Sequence, residues 1–329
     1  MKSMVTARSA SPGLLRLTTR IARMYHERGI GQASIAEQLG LSQARVSRLL
    51  KQAEQLGIVK ITVHVPEGIH ADDELRLEDR YGLDEVVLVG VEESAQQNDD
   101  AMARALGSTV ASYLELTLPA MEAVGVSSWS STLLAAVNAM RPTGPGATRH
   151  IVQALGGVGV PVAQRFATRL TEHLAELTRA DPVFMLAPGV VQSLEAKQAL
   201  LADPTCRQAI EHFDHLSAVL MGIGAIPPSR MLRESGNVFS EQDLHDLKQA
   251  GAVGDVCMRF FDADGKPIRT SFDERVIGIS AAQILQTRRR IGVAGGPRKF
   301  EAIRAAVRGG WISTLITDHD TGQRLLAQP

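Results

Sequence analysis

Residues 32–51, QASIAEQLGLSQARVSRLLK, decide the fold of the first part of the chain. They read as a helix, a tight turn and a second helix. Ala36 is small where two helices must approach closely, and Gly40 stands where the chain turns and a side chain would cost energy. Ile35, Leu39, Leu41, Val46, Leu49 and Leu50 supply apolar contacts at helical spacing. Ser42 suits the cap of the second helix. That helix turns Gln43, Arg45, Ser47, Arg48 and Lys51 outward, side chains that hydrogen-bond base edges and phosphates. The pattern is a helix-turn-helix, whose second helix enters the major groove of DNA. The bland alternative is a helical hairpin with a solvated face. Ser42, Gln43, Arg45, Ser47, Arg48 and Lys51 are therefore the candidate DNA-binding residues.

Working outward, Leu14, Leu17, Ile21 and Met24 recur at helical spacing and predict a first helix over residues 14–28, behind a mobile arm over residues 1–12. Residues 58–65, IVKITVHV, alternate apolar and polar, which predicts a strand covering the helices as a wing. Pro66 ends this winged-helix-like head, a domain over residues 1–66. Residues 1–60 hold ten Lys/Arg against three Asp/Glu, whereas the rest hold 25 against 33. The net charge of −1 thus conceals a basic head on an acidic body, as expected of a head that meets nucleic acid.

Residues 70–81, HADDELRLEDRY, predict a charged helix within a linker over residues 67–82. It can be a connector, a dimer contact or a solvated spacer. Beyond it, strands over 84–91, 121–129, 149–157, 183–191, 217–225, 276–280, 289–296 and 311–318 alternate with helices over 101–116, 131–140, 162–177, 240–248 and 297–308. Residues 253–268 read as a β-hairpin. This alternation predicts an α/β fold, a Rossmann-like parallel sheet with helices on both faces over residues 83–329. With 329 residues, 44% of them apolar, the core is ample. No apolar run approaches the roughly 20 residues of a membrane span, and the N-terminus lacks the apolar core of a signal peptide. Cys206 and Cys257 are far apart and form neither a disulfide framework nor a zinc motif. The expectation is a cytoplasmic protein with no metal, no cofactor and no membrane partner.

In an open parallel sheet, ligands bind beyond the carboxyl ends of the strands. Residues 127–132, SSWSST, follow a strand and open a helix, whose first turn offers free N–H groups to an anion such as phosphate. Ser130, Ser131 and Thr132 add hydroxyls, although the same residues would serve as a helix cap. Gly295-Gly296-Pro297-Arg298-Lys299 repeats the arrangement, with Lys299 as a compact cation for a phosphoryl group. The spacing is neither a Walker loop nor a dinucleotide fingerprint. Gln153 with Gly156-Gly157, and Gly222-Ile223-Gly224, are further strand-end turns. Asp255 can accept bonds from sugar hydroxyls or simply hold a turn. Asp262-Ala263-Asp264-Gly265 lacks the third acidic ligand and terminal Glu of a calcium loop and reads as a tight turn.

Taken in order, IAEQLGLSQARVSRLLKQAEQLGIVKI, ELRLEDRYGLDEVVLV, GVSSWSSTL, VQALGG, GAVGDVCMRFFDADG, VIGIS and VAGGPRKFEAI resemble the SorC family of sugar-responsive bacterial transcriptional regulators, from about Leu14 to Asp318. The resemblance implies an operator-binding head. It implies a body related to sugar-phosphate isomerases of the ribose-5-phosphate isomerase and glucosamine-6-phosphate deaminase type, binding a sugar, polyol or phosphosugar effector within a homodimer or homotetramer. It places the effector site on the turn from Trp129 to Thr132, on Gln153, on Asp255 and on Lys299. Many relatives carry Trp-Gly-x-Thr at that turn, whereas this chain has Trp129-Ser130-Ser131-Thr132, and Ser130 narrows the space near the backbone. With the strand-end Gly156, the candidate effector-binding residues are Trp129, Ser130, Ser131, Thr132, Gln153, Gly156, Asp255 and Lys299. The expected function is a DNA-binding regulator of carbohydrate metabolism, not an enzyme, whose hold on double-stranded operator DNA changes with the effector. The rival is a sugar-phosphate isomerase or deaminase with an added DNA-binding head, which would need a general base beside the phosphate cradle.

Overall fold

The computed structural model describes residues 11–61, 64–96, 98–157, 160–226, 228 and 240–328. The chain divides into two units, Met1–Val65 and Pro66–Pro329.

The first unit contains α1 (Pro12–His26), α2 (Gln32–Leu39) and α3 (Gln43–Gln55). Helix α1 starts two residues before its first apolar contact, because Ser11 accepts a bond from Leu14 N (3.3 Å) and Pro12 is already set for the first helical position. Gly40 closes α2 in the left-handed region, at φ 63°. Ser42 Oγ accepts from Arg45 N at 3.3 Å and opens α3. Ile21, Ile35 and Val46 are wholly buried and meet Met24, Ala36, Leu49 and Leu50 in one small core. The expected wing strand is not formed among the described residues of 58–65. The amides of Ile58 and Val59 both turn back onto Ala53 O (2.9 and 3.2 Å) after Gly57 at φ 69°, so this segment ends α3 instead of extending. The arm over residues 1–10, and residues 62 and 63 of the expected wing, lie outside the described residues.

The second unit is built on β1 (Glu85–Val89), β2 (Ala123–Val126), β3 (His150–Gln153), β4 (Asp181–Val183), β5 (Ala218–Ala225), β6 (Gly254–Val256), β7 (Arg259–Phe261), β8 (Arg289–Val293) and β9 (Thr314–Asp318). Seven of them lie parallel in the order β1-β9-β8-β5-β2-β3-β4, and β6 and β7 add an antiparallel hairpin to the end of β5. Helices α4 (Ala71–Tyr81), α5 (Asp99–Thr117), α6 (Ser131–Ala139), α7 (Pro161–Thr178), α8 (Leu194–Ala202), α9 (Pro204–Glu211), α10 (Glu241–Gln249), α11 (Phe300–Arg308) and α12 (His319–Ala327) accompany the sheet, with shorter turns between them. Alternate residues of β5 enter different cores. Val219 and Met221 pack with Phe300 and Ile303, while Ala218 and Leu220 pack with Leu106 and Leu133. A strand buried on both faces reads as a continuous apolar run, which is why these segments were legible. Among the described residues, no helix is long and apolar enough to cross a membrane.

Three segments differ from expectation. The strand expected over 183–191 is only Asp181–Val183, and the chain beyond it makes single bridges, Pro188 with Gly157 and Val190 with Val276. VIGIS at 276–280 likewise forms bridges rather than a ladder, because Gly278 meets Leu155 in loop geometry. The hairpin within 253–268 turns at Cys257-Met258, and Asp262–Gly265 is a separate tight turn, closed by Gly265 N on Asp262 O at 2.9 Å.

The stretch set out as a linker is part of the second unit. Among the described residues strand β1 pairs only with β9, and its outward amides at Val86 and Leu88 donate to Glu78 Oε1 and Glu74 Oε1 of α4, each at 2.9 Å. The match is geometric: four helical residues rise about 6 Å and two strand residues about 6.6 Å. Leu77 between them is wholly buried, and Arg80 donates to the carbonyls of Leu326 (2.6 Å) and Gln328 (2.5 Å) at the end of α12. A solvated spacer would make none of these contacts. Removing both carboxylates, Glu74→Ala with Glu78→Ala, is expected to lower unfolding free energy by about 1–2 kcal/mol for each edge amide left unpaired. Urea denaturation reads this directly, and an unchanged midpoint would show that water serves the amides equally well.

Candidate functional site

Strands β2, β3 and β4 step across the sheet in one direction, and β5, β8 and β9 step in the other. The winding reverses between β2 and β5, and in a doubly wound sheet the ligand crevice opens there, beyond the carboxyl ends. A cavity lies at this point. Ser127, Trp129, Ser130 and Ser131 line it from the β2–α6 turn, and Gly222 and Gly224 from β5. Asp255, Cys257 and Met258 line it from the β6–β7 hairpin, and Arg298 and Lys299 from the turn after β8.

Close approach fixes two glycines. A Cβ on Gly222 would stand 2.6 Å from Ser130 Oγ, and one on Gly224 would collide with Asp255 Oδ1. Ser130 Oγ accepts from Leu133 N at 3.3 Å and caps α6, so the same residue opens the helix and fills the floor of the cavity. Asp255 pairs with Gly224 in the β5–β6 register and holds its carboxylate over that bare Cα. Its Oδ2 accepts from Met258 N at 3.0 Å, across a two-residue turn in which Cys257 and Met258 both have positive φ, 49° and 58°. Such turns favour Asn-Gly, and non-glycine residues there carry strain of order 1–3 kcal/mol each. The buried Cys257 and Met258 side chains and the Asp255 bond hold the turn in place.

The charges in the cavity are matched unevenly. Burial pushes the Asp255 carboxyl up to about 6, against the lowering pull of the Met258 amide and of Lys299. Burial pulls the Lys299 ammonium down and the neighbouring Arg298 adds to this, while Asp99 and Asp255 oppose it. Burial pushes the Cys257 thiol up to about 12, so it is a neutral wall rather than a nucleophile. Arg298 is held by Asp99 at the start of α5, with Nη2 to Oδ2 at 2.7 Å. The glycine turn ahead of it is anchored by Gly296 N on Asp318 Oδ2 at 2.7 Å.

Of the residues singled out from the sequence, Trp129, Ser130, Ser131, Asp255 and Lys299 line the cavity, whereas Thr132, Gln153 and Gly156 do not. Thr132 is buried one position further into α6. Gln153 lies behind the wall with both ends of its amide engaged: Nε2 donates to Ser128 Oγ (3.0 Å) and Oε1 accepts from Met185 N (3.3 Å). Ser128 passes the contact on to Leu155 O at 2.7 Å. Gly156 leaves room for the Pro188 carbonyl, and its own carbonyl takes the Trp129 indole N–H at 3.0 Å. Gln153 and Gly156 therefore hold the turn from behind the cavity lining. Cys257 and Met258 were not found from the sequence, because nothing in Cys-Met signals a hairpin turn. In the head, Ser42, Gln43, Arg45, Ser47, Arg48 and Lys51 are all exposed, while Val46, Leu49 and Leu50 are buried.

Residues 69–327 match the family model described as "Putative sugar-binding domain". The chain is 30% identical over 311 residues to the deoxyribonucleoside regulator of Bacillus subtilis (strain 168), covering 94% of this chain and 97% of that one. It is 27% identical over 316 residues to the sorbitol operon regulator of Klebsiella pneumoniae, covering 95% and 98%. Among solved structures, the full-length sorbitol operon regulator SorC from Klebsiella pneumoniae matches with a TM-score of 0.69 at 25% identity, over 96% of this chain and 100% of that one. A DeoR family regulator from Listeria monocytogenes, at 22% identity and a TM-score of 0.70 over 78% of this chain and 98% of that one, shares the fold. The chain belongs to the SorC family of sugar-responsive transcriptional regulators.

Proposed function

We propose that this regulator reads double-stranded operator DNA with the exposed face of α3 and senses a phosphosugar in the cavity between β2 and β5. One observation carries the second half: a cation, Lys299, and a carboxylate, Asp255, face a single cavity at the winding reversal, beside the start of α6. Lys299 and the first-turn amides of α6 suit a phosphoryl group, and Asp255 suits sugar hydroxyls. The names of the relatives, a deoxyribonucleoside regulator and a sorbitol operon regulator, agree with a small polyhydroxylated effector. The effector must bind the DNA-competent and incompetent arrangements with different affinity, since equal binding shifts nothing. A two-fold operator calls for a homodimer or homotetramer, acting in the cytoplasm.

A second reading rests on Asp255. A part-buried carboxyl lifted to about 6 beside a lysine is what a general base near neutral pH offers a sugar-phosphate isomerase. Incubation of purified protein with ribose 5-phosphate and glucosamine 6-phosphate separates the two, since the regulator reading requires binding without turnover.

Arg48→Ala is expected to weaken operator binding by about tenfold, within the ~1–3 kcal/mol of a base contact; gel shifts at fixed salt check this, and unchanged affinity removes Arg48 from the reader. Lys299→Ala is expected to abolish heat of binding with those two sugar phosphates in calorimetry while leaving DNA affinity intact. Wild-type binding in that variant would take Lys299 out of the site. Asp255 gives a pH signature. Its carboxyl rises from 3.8 to about 6 on folding, so the folded state holds the proton more tightly than the unfolded one. Its contribution is complete below about 4 and is lost as pH rises to about 6. Relative to Asp255→Asn, wild-type unfolding free energy should therefore fall across that window and run parallel above it. A constant difference would mean that the carboxyl is not raised.

A further inference from the structure

The cavity is joined to the N-terminal end of α4 by a short unbroken set of contacts. Arg298 and Lys299 follow Gly295-Gly296, and that turn is pressed onto Asp318: a Cβ on Gly295 would come within 2.7 Å of Asp318 Oδ2, which Gly296 N already occupies at 2.7 Å. Asp318 is wholly buried and is also the cap of α12, accepting from Thr321 N (3.0 Å), Thr321 Oγ1 (2.7 Å) and Gln96 Nε2 (3.1 Å). The next residue, His319, stacks its ring on His70, with centroids 3.7 Å apart and planes 12° apart. His319 Nε2 also lies 3.3 Å from Asp73 Oδ2, and Gln323 Nε2 donates to the same oxygen. His70 immediately precedes α4, only five residues after the first unit ends at Val65.

Two features suit this set to switching rather than to simple bracing. Further along, α4 is fastened by buried or charged contacts: Glu74 and Glu78 on β1, Leu77 in the core, and Arg80 on the end of α12. Its first turn, by contrast, meets α12 through a ring stack and polar side chains that are partly exposed, contacts that can part at small cost. At the other end, one carboxylate serves both the pocket turn and the helix start. Drawing the 295–299 turn toward an anion must therefore disturb the cap from which His319 projects.

We propose that Asp318 and His319 couple the effector pocket to the His70 end of α4, so that occupancy of the pocket alters how firmly the segment leading to the DNA-binding unit is held. This rests on the effector reading above for its ligand, but the coupling is a property of the unliganded protein and is tested there. Hydrogen–deuterium exchange on the full chain compares wild type with His70→Ala, His70→Phe, His319→Ala and the double variant His70→Ala/His319→Ala. His70 meets His319 through the ring stack but also lies beside Gly90, which follows the β1 residue paired with Asp318, so the double variant is what separates a route through His319 from one through β1. The expected result is exchange over 294–299 that is roughly threefold faster or more in His70→Ala, the low end for sites coupled through intermediates. His70→Phe, which keeps a stackable ring, should restore the wild-type rate, and His70→Ala should add nothing in the His319→Ala background. Unchanged exchange over 294–299 in His70→Ala, or an undiminished effect without His319, overturns the coupling. Loss of sugar-phosphate binding altogether would overturn the effector reading and leave this comparison standing.

Discussion

Strand β5 changes partners at Gly222, and the chemistry of the molecule depends on that change. Up to Gly222 it lies parallel to β8, and from Ile223 to Ala225 it pairs antiparallel with β6. A strand confined to the sheet would end where its neighbours end and leave an open crevice. By running on, β5 recruits the β6–β7 hairpin as a roof and sets Asp255 against a residue with no side chain. The two glycines of β5 are thus not weak points in a strand. Each is the space that a polar group on another element occupies, Ser130 for one and Asp255 for the other.

Much of this could be read in the residues where the cause is local. Helix α3 was legible because its apolar period, its Ser42 cap and the Gly40 turn all act within a few residues. Ser130 and Lys299 were legible because strand-to-helix turns in a parallel sheet point to one rim. What escaped is set by pairing at a distance. Cys257-Met258 turns the hairpin only because β6 is held against β5, and no turn propensity announces it. Gln153 stands at a strand end and looks available, but Ser128 and Met185, from other elements, take up its amide. Alternation over 58–65 promised a strand, yet a strand also needs a neighbour, and the amides of Ile58 and Val59 turn to Ala53 instead.

The cavity combines two cationic side chains, one of them paired to Asp99, with a carboxylate of raised proton affinity, a neutral thiol and a helix start. That is a mixture suited to a ligand with both phosphate and hydroxyl groups. The supporting residues matter as much as the lining ones. Trp129 is locked through its indole to Gly156, and Arg298 is turned aside to Asp99, which leaves Lys299 as the cation facing Asp255. A sensor gains from such rigidity, since little conformational freedom is lost when the ligand arrives.

The two rims of the large sheet are finished in different ways. Glu74 and Glu78 occupy the outward amides of β1, and β4 at the opposite rim is three residues long with Pro182, which has no amide, at its centre. Among the described residues, neither rim offers a row of free donors to a strand from another molecule. Strand addition at either rim is thereby disfavoured, and with it the edge-to-edge growth of sheets into a fibre.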